Sequence, residues 1–193
     1  VLPSAVLLGS LGWSRLLELL PVKLIWKQIF TGILALVLLS TPYKFFNFPV
    51  PLEGTQRIVK DASDWMLKSE YAGTKFFYFN PFFPHFLNAN PHNGEDAGYY
   101  VPDRDKPEKS VKEGEIVIWD AHFAPNEGAL PLKNLMDNRA FKLIHLTREK
   151  EARTVLGGYS YEIYFFERIA EEEAVDNHAL YGSMLEEILN SEH

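Results

Sequence analysis

The chain has 193 residues, 47% of them hydrophobic, and a net charge of -7, so it has room for one domain core of ordinary size plus a further segment, and is short for two full domains. Residues 1–50 hold Arg15, Lys23, Lys27 and Lys44 against Glu18, which is +4 − 1 = +3, and residues 51–193 therefore carry −7 − 3 = −10. That acidity excludes a nucleic-acid partner for the second part, because phosphate binding needs a basic footprint. With no cysteine there is neither a disulfide framework nor a thiolate zinc site, and the redox compartment stays open.

The first 50 residues are apolar in two stretches. Val1 to Pro21 reads as the end of a spanning helix, truncated at Val1, with Gly9, Ser10 and Gly12 as a small-residue face. Nothing at the start has the form of a secretory signal peptide. Ile29 to Phe48 contains the uncharged run Ile29–Leu39 followed by Tyr43, Phe45, Phe46 and Phe48, and is about the ~20 residues that cross a bilayer. Lys44 at one end, and Trp26 with Lys27 at the other, suit the two interfaces. The expectation is a hairpin of two spans in a cell inner membrane, its basic link cytoplasmic and the remainder periplasmic by the positive-inside rule. The competing reading is a buried helix of a soluble protein, since the strictly uncharged run is short.

Pro49, Pro51, Glu53 and Gly54 form a breaker-rich joint. Beyond it, Ile58, Ala62, Trp65 and Met66 recur at helical spacing behind a Thr55 N-cap candidate, in a helix ended near Gly73. Lys75–Phe79 reads as a buried strand bounded by Asn80-Pro81, and Pro81–Asn88 as a short helix. Residues Asn90–Glu113, rich in Asn, Gly, Asp, Pro and Lys, read as a long surface loop. Next come a strand at Glu115–Ala121, a short helix in Leu130–Asn138, and strands in Phe141–Glu149 and Tyr159–Ile169. The last two are antiparallel around Gly157-Gly158. The expected class is α/β, with transmembrane helices over 1–50, a small, mostly parallel sheet with packed helices over 51–170, and an acidic helical extension over 171–193 that is solvated or loosely docked.

Chemistry is sparse. The most polar cluster at a strand end is Asp120, His122 and Glu127, in WDAHFAPNEG after the apolar run Ile116–Trp119, where ligands of open α/β sheets collect. These three are weak candidates for substrate binding. A histidine with two carboxylates also suits a divalent cation or acid–base work, but the spacing matches no dedicated metal motif, and helix capping by ordinary hydrogen bonds explains it as well. His85, among Phe82, Phe83 and Phe86, reads as a packing histidine, and His92 and His145 have no partner in sequence. Phosphate-loop, dinucleotide, nucleophile-elbow and zinc-protease motifs are absent, so no cofactor is expected. The aromatic run from Phe76 to Phe86 reads as core before carbohydrate platform.

Three stretches, LPSAVLLGSLGWSRLL, GTQRIVKDASDWMLKSEYAGTKFFYFNPFFPHFLN and EIVIWDAHFAPNEGALPLKNLMDN, resemble the C-terminal part of polytopic GT-C type glycosyltransferases. These are mannosyltransferase-like membrane proteins, and the last stretch is similar to Bacteroidetes-like members. The resemblance implies a polyprenyl-phosphate sugar donor, a glycan or protein acceptor, contact with membrane lipid, and a soluble domain that shapes donor or acceptor access. In that family the catalytic acid lies in an early loop outside this chain, so no catalytic residue carries over and the chain alone is expected to be inactive. The alternatives are a non-enzymatic anchored binding or assembly module, and last a metal-assisted hydrolase built on Asp120, His122 and Glu127.

Overall fold

The computed structural model describes residues 2–19, 21–45, 52–149, 153–170 and 175–190. The chain divides into two units, Val1–Pro51 and Leu52–His193. Phe46, Phe48, Pro49 and Pro51, and the acidic run Glu171–Glu173, lie outside the described residues.

The first unit holds two helices, α1 (Leu2–Leu19) and α2 (Leu24–Phe45). The Trp13 indole donates to the Thr31 hydroxyl at 3.2 Å, which ties one helix to the other. Among the described residues no helix is long and apolar enough to cross a membrane. This corrects the transmembrane part of the expected fold class and, with it, the multi-pass inner-membrane and periplasmic placement. The physical reason lies in the polar residues. Arg15 and Glu18 form an ion pair of 3.0 Å in the last turns of α1. Lys27 and Gln28 interrupt the start of α2, and Ser40, Thr41 and Lys44 its end, leaving Ile29–Leu39 as its most apolar run. At about 1.5 Å per residue such a run reaches roughly half of a ~30 Å hydrocarbon core.

The second unit is α/β. Its five-stranded sheet has the order β2-β1-β3-β5-β4, with β1 at Phe76–Tyr78, β2 at Ala97–Tyr99, β3 at Ile116–Asp120, β4 at Phe141–Arg148 and β5 at Glu162–Arg168. β1 runs parallel to both β2 and β3, whereas β3–β5 and β5–β4 are antiparallel. The sheet is therefore mixed, not mostly parallel. β4 and β5 pair antiparallel, and the connection between them turns at Gly157 and Gly158, with φ +94° and +81°, where a Cβ would be strained. The stretch expected to be one long loop, Asn90–Glu113, contributes β2 and a 3-10 turn at Pro107–Lys109, anchored by buried Ala97, Val101 and Val111.

Strand alternation sends side chains to two cores. On one face, Phe76, Tyr78, Ile116, Ile118, Ile163 and Phe165 pack under α3 (Gly54–Lys68) and α4 (Phe82–Phe86). The N-cap of α3 is Glu53, not the expected Thr55, and the helix ends at Lys68 with a turn running to Gly73. On the other face, Phe77, Val117, Trp119, Leu143, Tyr164 and Phe166 form the core with Ala124 of α5 (Phe123–Asn126), Leu135 and Met136 of α6 (Lys133–Met136) and the partly buried Leu180, Tyr181, Met184 and Ile188 of α7 (Asn177–Asn190). A bulge between Leu143 and His145 lets Leu143 and Leu146 share that face. His145 stacks on Trp65 at 3.9 Å, and burial lowers its pKa to about 4.

Besides its apolar residues, the C-terminal helix is docked through the Asn177 side chain. β4 is an edge strand, and the Asn177 amide meets it as a neighbouring strand would: Oδ1 accepts the Leu143 N–H at 2.8 Å and Nδ2 donates to the Phe141 carbonyl at 2.8 Å. The same nitrogen donates to the Met136 carbonyl at 3.2 Å, and Asn177 is only 2% exposed. Asn177→Ala leaves a buried N–H and carbonyls unpaired, so it is expected to lower unfolding stability by about 2–3 kcal/mol. Urea denaturation of the whole chain checks this, and a change under about 0.5 kcal/mol, the scale of an ordinary surface substitution, contradicts it.

Candidate functional site

The crossover pattern of the sheet puts its one switch point between β1 and β3. After β1 the chain turns through α4 to β2 at one edge; after β3 it turns through α5 and α6 to β4 at the other. The carboxyl ends of two neighbouring parallel strands thus diverge, leaving the crevice that open α/β sheets use for ligands. At those ends lie Asn80, two residues past β1, and Asp120, the last residue of β3, 2% and 0% exposed, and Asn80 Nδ2 donates to Asp120 Oδ2 at 3.2 Å.

Asp120 is the hub. Its Oδ1 accepts the N–H groups of His122 and Phe123 at 2.8 and 2.9 Å, which folds the chain into α5 immediately after the strand. Its Oδ2 accepts the Tyr161 hydroxyl at 2.8 Å in addition to Asn80. Four donors on one buried carboxylate make burial of the charge tolerable, since charge-assisted bonds contribute about 1.5–3 kcal/mol each. Burial first, and then the Asp120 carboxylate, push the Tyr161 phenol far above its ordinary pKa, so it stays a proton donor to Asp120. Asn80 in turn accepts the Phe82 N–H at 3.0 Å through Oδ1 and so starts α4.

Above this hub lies a cleft of about 370 Å³ whose lining includes Glu53, Gln56, Asn80, Phe82, His122 and Tyr161. The hairpin between β4 and β5 closes one side with Val155 and Leu156, held down where Asn126 Nδ2 donates to the Leu156 carbonyl at 3.1 Å. Phe82 is 41% exposed, an open aromatic face in this wall. The His122 ring meets Phe123 edge-on at 4.7 Å and also lines the cleft. A larger cleft of about 480 Å³ lies between α6, α7 and the hairpin, lined by Leu132, Met136, Tyr159 and Tyr181 among others. It is on the other face and holds none of the residues that the sequence singles out.

The three candidates thus separate. Asp120 is interior and fully engaged, His122 reaches the cleft, and Glu127 is exposed at the C-cap of α5. Among the described residues, no group of three His, Asp or Glu side chains is placed to hold a metal ion. His85, expected in packing, is exposed with its ring 5.3 Å from Phe86. Sequence reasoning missed Asn80, Phe82, Tyr161 and the Glu53–Gln56 pair. The available signal was the symmetry of the two strand ends, each apolar run stopping at one Asn or Asp before an aromatic-led turn.

No protein-family model, curated protein or solved structure matches the chain.

Asp120→Ala strands four donors in a dry site and is expected to cost about 3–5 kcal/mol of unfolding stability. Asp120→Asn keeps the acceptor for His122 and Phe123 but sets an amide against that of Asn80, and is expected to cost about half as much. Denaturant unfolding of the two variants checks the order; an Asp120→Ala change within about 1 kcal/mol of the parent, the size of an average substitution, contradicts the structural role.

Proposed function

We propose that the chain is part of a glycosyltransferase that draws on polyprenyl-phosphate-linked sugar, and that its second unit binds and positions a glycan instead of breaking bonds. The observation that carries this is the switch-point cleft, whose walls combine an open aromatic face, an imidazole and side-chain amides around a fully satisfied interior. Aromatic faces suit the C–H faces of a sugar ring, while the Gln56 side-chain N–H groups and the His122 ring offer hydrogen bonds for hydroxyls. Asp120, the one carboxylate at the strand end, is consumed by structural hydrogen bonds, which favours positioning over chemistry. The sequence resemblance supplies the glycosyltransferase context and separates this reading from that of an assembly module with no enzymatic partner.

Saturation-transfer NMR on the whole chain with a panel of neutral disaccharides, mannobioses among them, tests the reading. Transfer to ring C–H protons is expected, with at least about tenfold weaker binding in Phe82→Ala and His122→Ala, the scale of one lost aromatic or hydrogen-bonding contact. The absence of transfer to every sugar in the panel overturns it.

A further inference from the structure

Resting on that glycan reading, we infer that the cleft takes a neutral glycan, the acceptor side of the reaction, and rejects the phosphate-bearing donor. A phosphate needs a cation or a free helix N-terminus. Among the described residues the wall provides neither: its titratable side chains are Glu53, His122 and Tyr161, with no lysine or arginine in the lining.

The N-terminus of the 15-residue helix α3 opens onto this wall through Glu53, Thr55 and Gln56, and would otherwise be the natural anion site. A carboxylate of the chain itself already stands there. Glu53 and Gln56 form a capping box in which the Glu53 carboxylate accepts the Gln56 N–H, and the Gln56 carbonyl accepts the Glu53 N–H at 3.1 Å. The helix therefore presents a carboxylate to the cleft where a phosphate would sit.

Among the described residues Arg153 comes close, packed over Gly54 so tightly that a Cβ there would lie 2.5 Å from its guanidinium nitrogen. It is paired through Nε with Glu149 at 2.9 Å, which offsets part of its charge. The acidity of residues 51–193 works in the same direction at longer range.

The test compares α-mannobiose with mannose 1-phosphate on the whole chain by isothermal titration at low and at 0.5 M salt. The neutral sugar is expected to bind about tenfold tighter at low salt, the scale of one like-charge contact at intermediate dielectric, and the ratio is expected to shrink at high salt. Glu53→Gln, which keeps the box geometry with a neutral acceptor, is expected to bring the two ligands within about threefold of each other. Equal or tighter binding of the phosphate by the parent chain overturns this inference and leaves glycan binding standing. If neither ligand binds, both this inference and the glycan reading fall. A salt-independent preference also overturns it, whether or not Glu53→Gln folds, because it removes charge as the cause.

Discussion

A single buried carboxylate holds together the floor of the cleft at the switch point of the sheet. Asp120 sits at 0% exposure at the end of β3, and its two oxygens take bonds from a strand neighbour, from the start of β5 and from the turn into α5. An ionised group in such a place is stable only when its lone pairs are met, so the four donors and their elements are fixed relative to one another. The cleft floor is rigid for that reason. Its walls depend on the same point, because Asn80 hands the constraint to Phe82, and the turn after Asp120 sets the position of His122.

The electrostatics of the cleft follow from local needs of the fold. Helix α3 must satisfy its first N–H groups, and does so with Glu53 and Gln56. The hairpin must be held against α5, and Asn126 does that through the Leu156 carbonyl. What is left facing the opening is aromatic, amide and imidazole surface with one carboxylate. In the proposed reading, such a lining selects a neutral glycan by shape and hydroxyl pattern.

Much of the second unit was legible in sequence because its strands are short apolar runs cut by strong breakers. Phe76–Phe79, Ile116–Trp119 and the pair flanking Gly157-Gly158 all fall where pattern and turn chemistry place them. The sheet was misread as mostly parallel because direction depends on the long-range neighbour of each strand, and a local pattern does not encode that β5 inserts between β3 and β4. β2 escaped notice for a different reason: it has three residues, one of them Gly98, whose missing Cβ makes room for the Phe77 ring at 2.6 Å. Glycine there reads as loop, yet a tertiary contact demands it. The docking of α7 was equally hidden, since Asn177 is an ordinary polar residue until β4 is known to be an edge. In the first unit, hydropathy alone suggested spans, and the polar residues of α1 and the first turns of α2 set the limit that the structure shows.

At the site, spacing drew attention to the segment after β3 and grouped residues by proximity in sequence. Asp120, His122 and Glu127 go to the interior, the cleft and the exposed C-cap because a four-residue helix begins between the first and the last. Amide hydrogen exchange of the whole chain, read at His122 and Phe123, tests the central claim most directly. If the Asp120 carboxylate fixes the cleft floor, both amides exchange as slowly as those of β3, by global opening. Exchange at the rate of an exposed loop would show that the turn is not held, and would contradict the account.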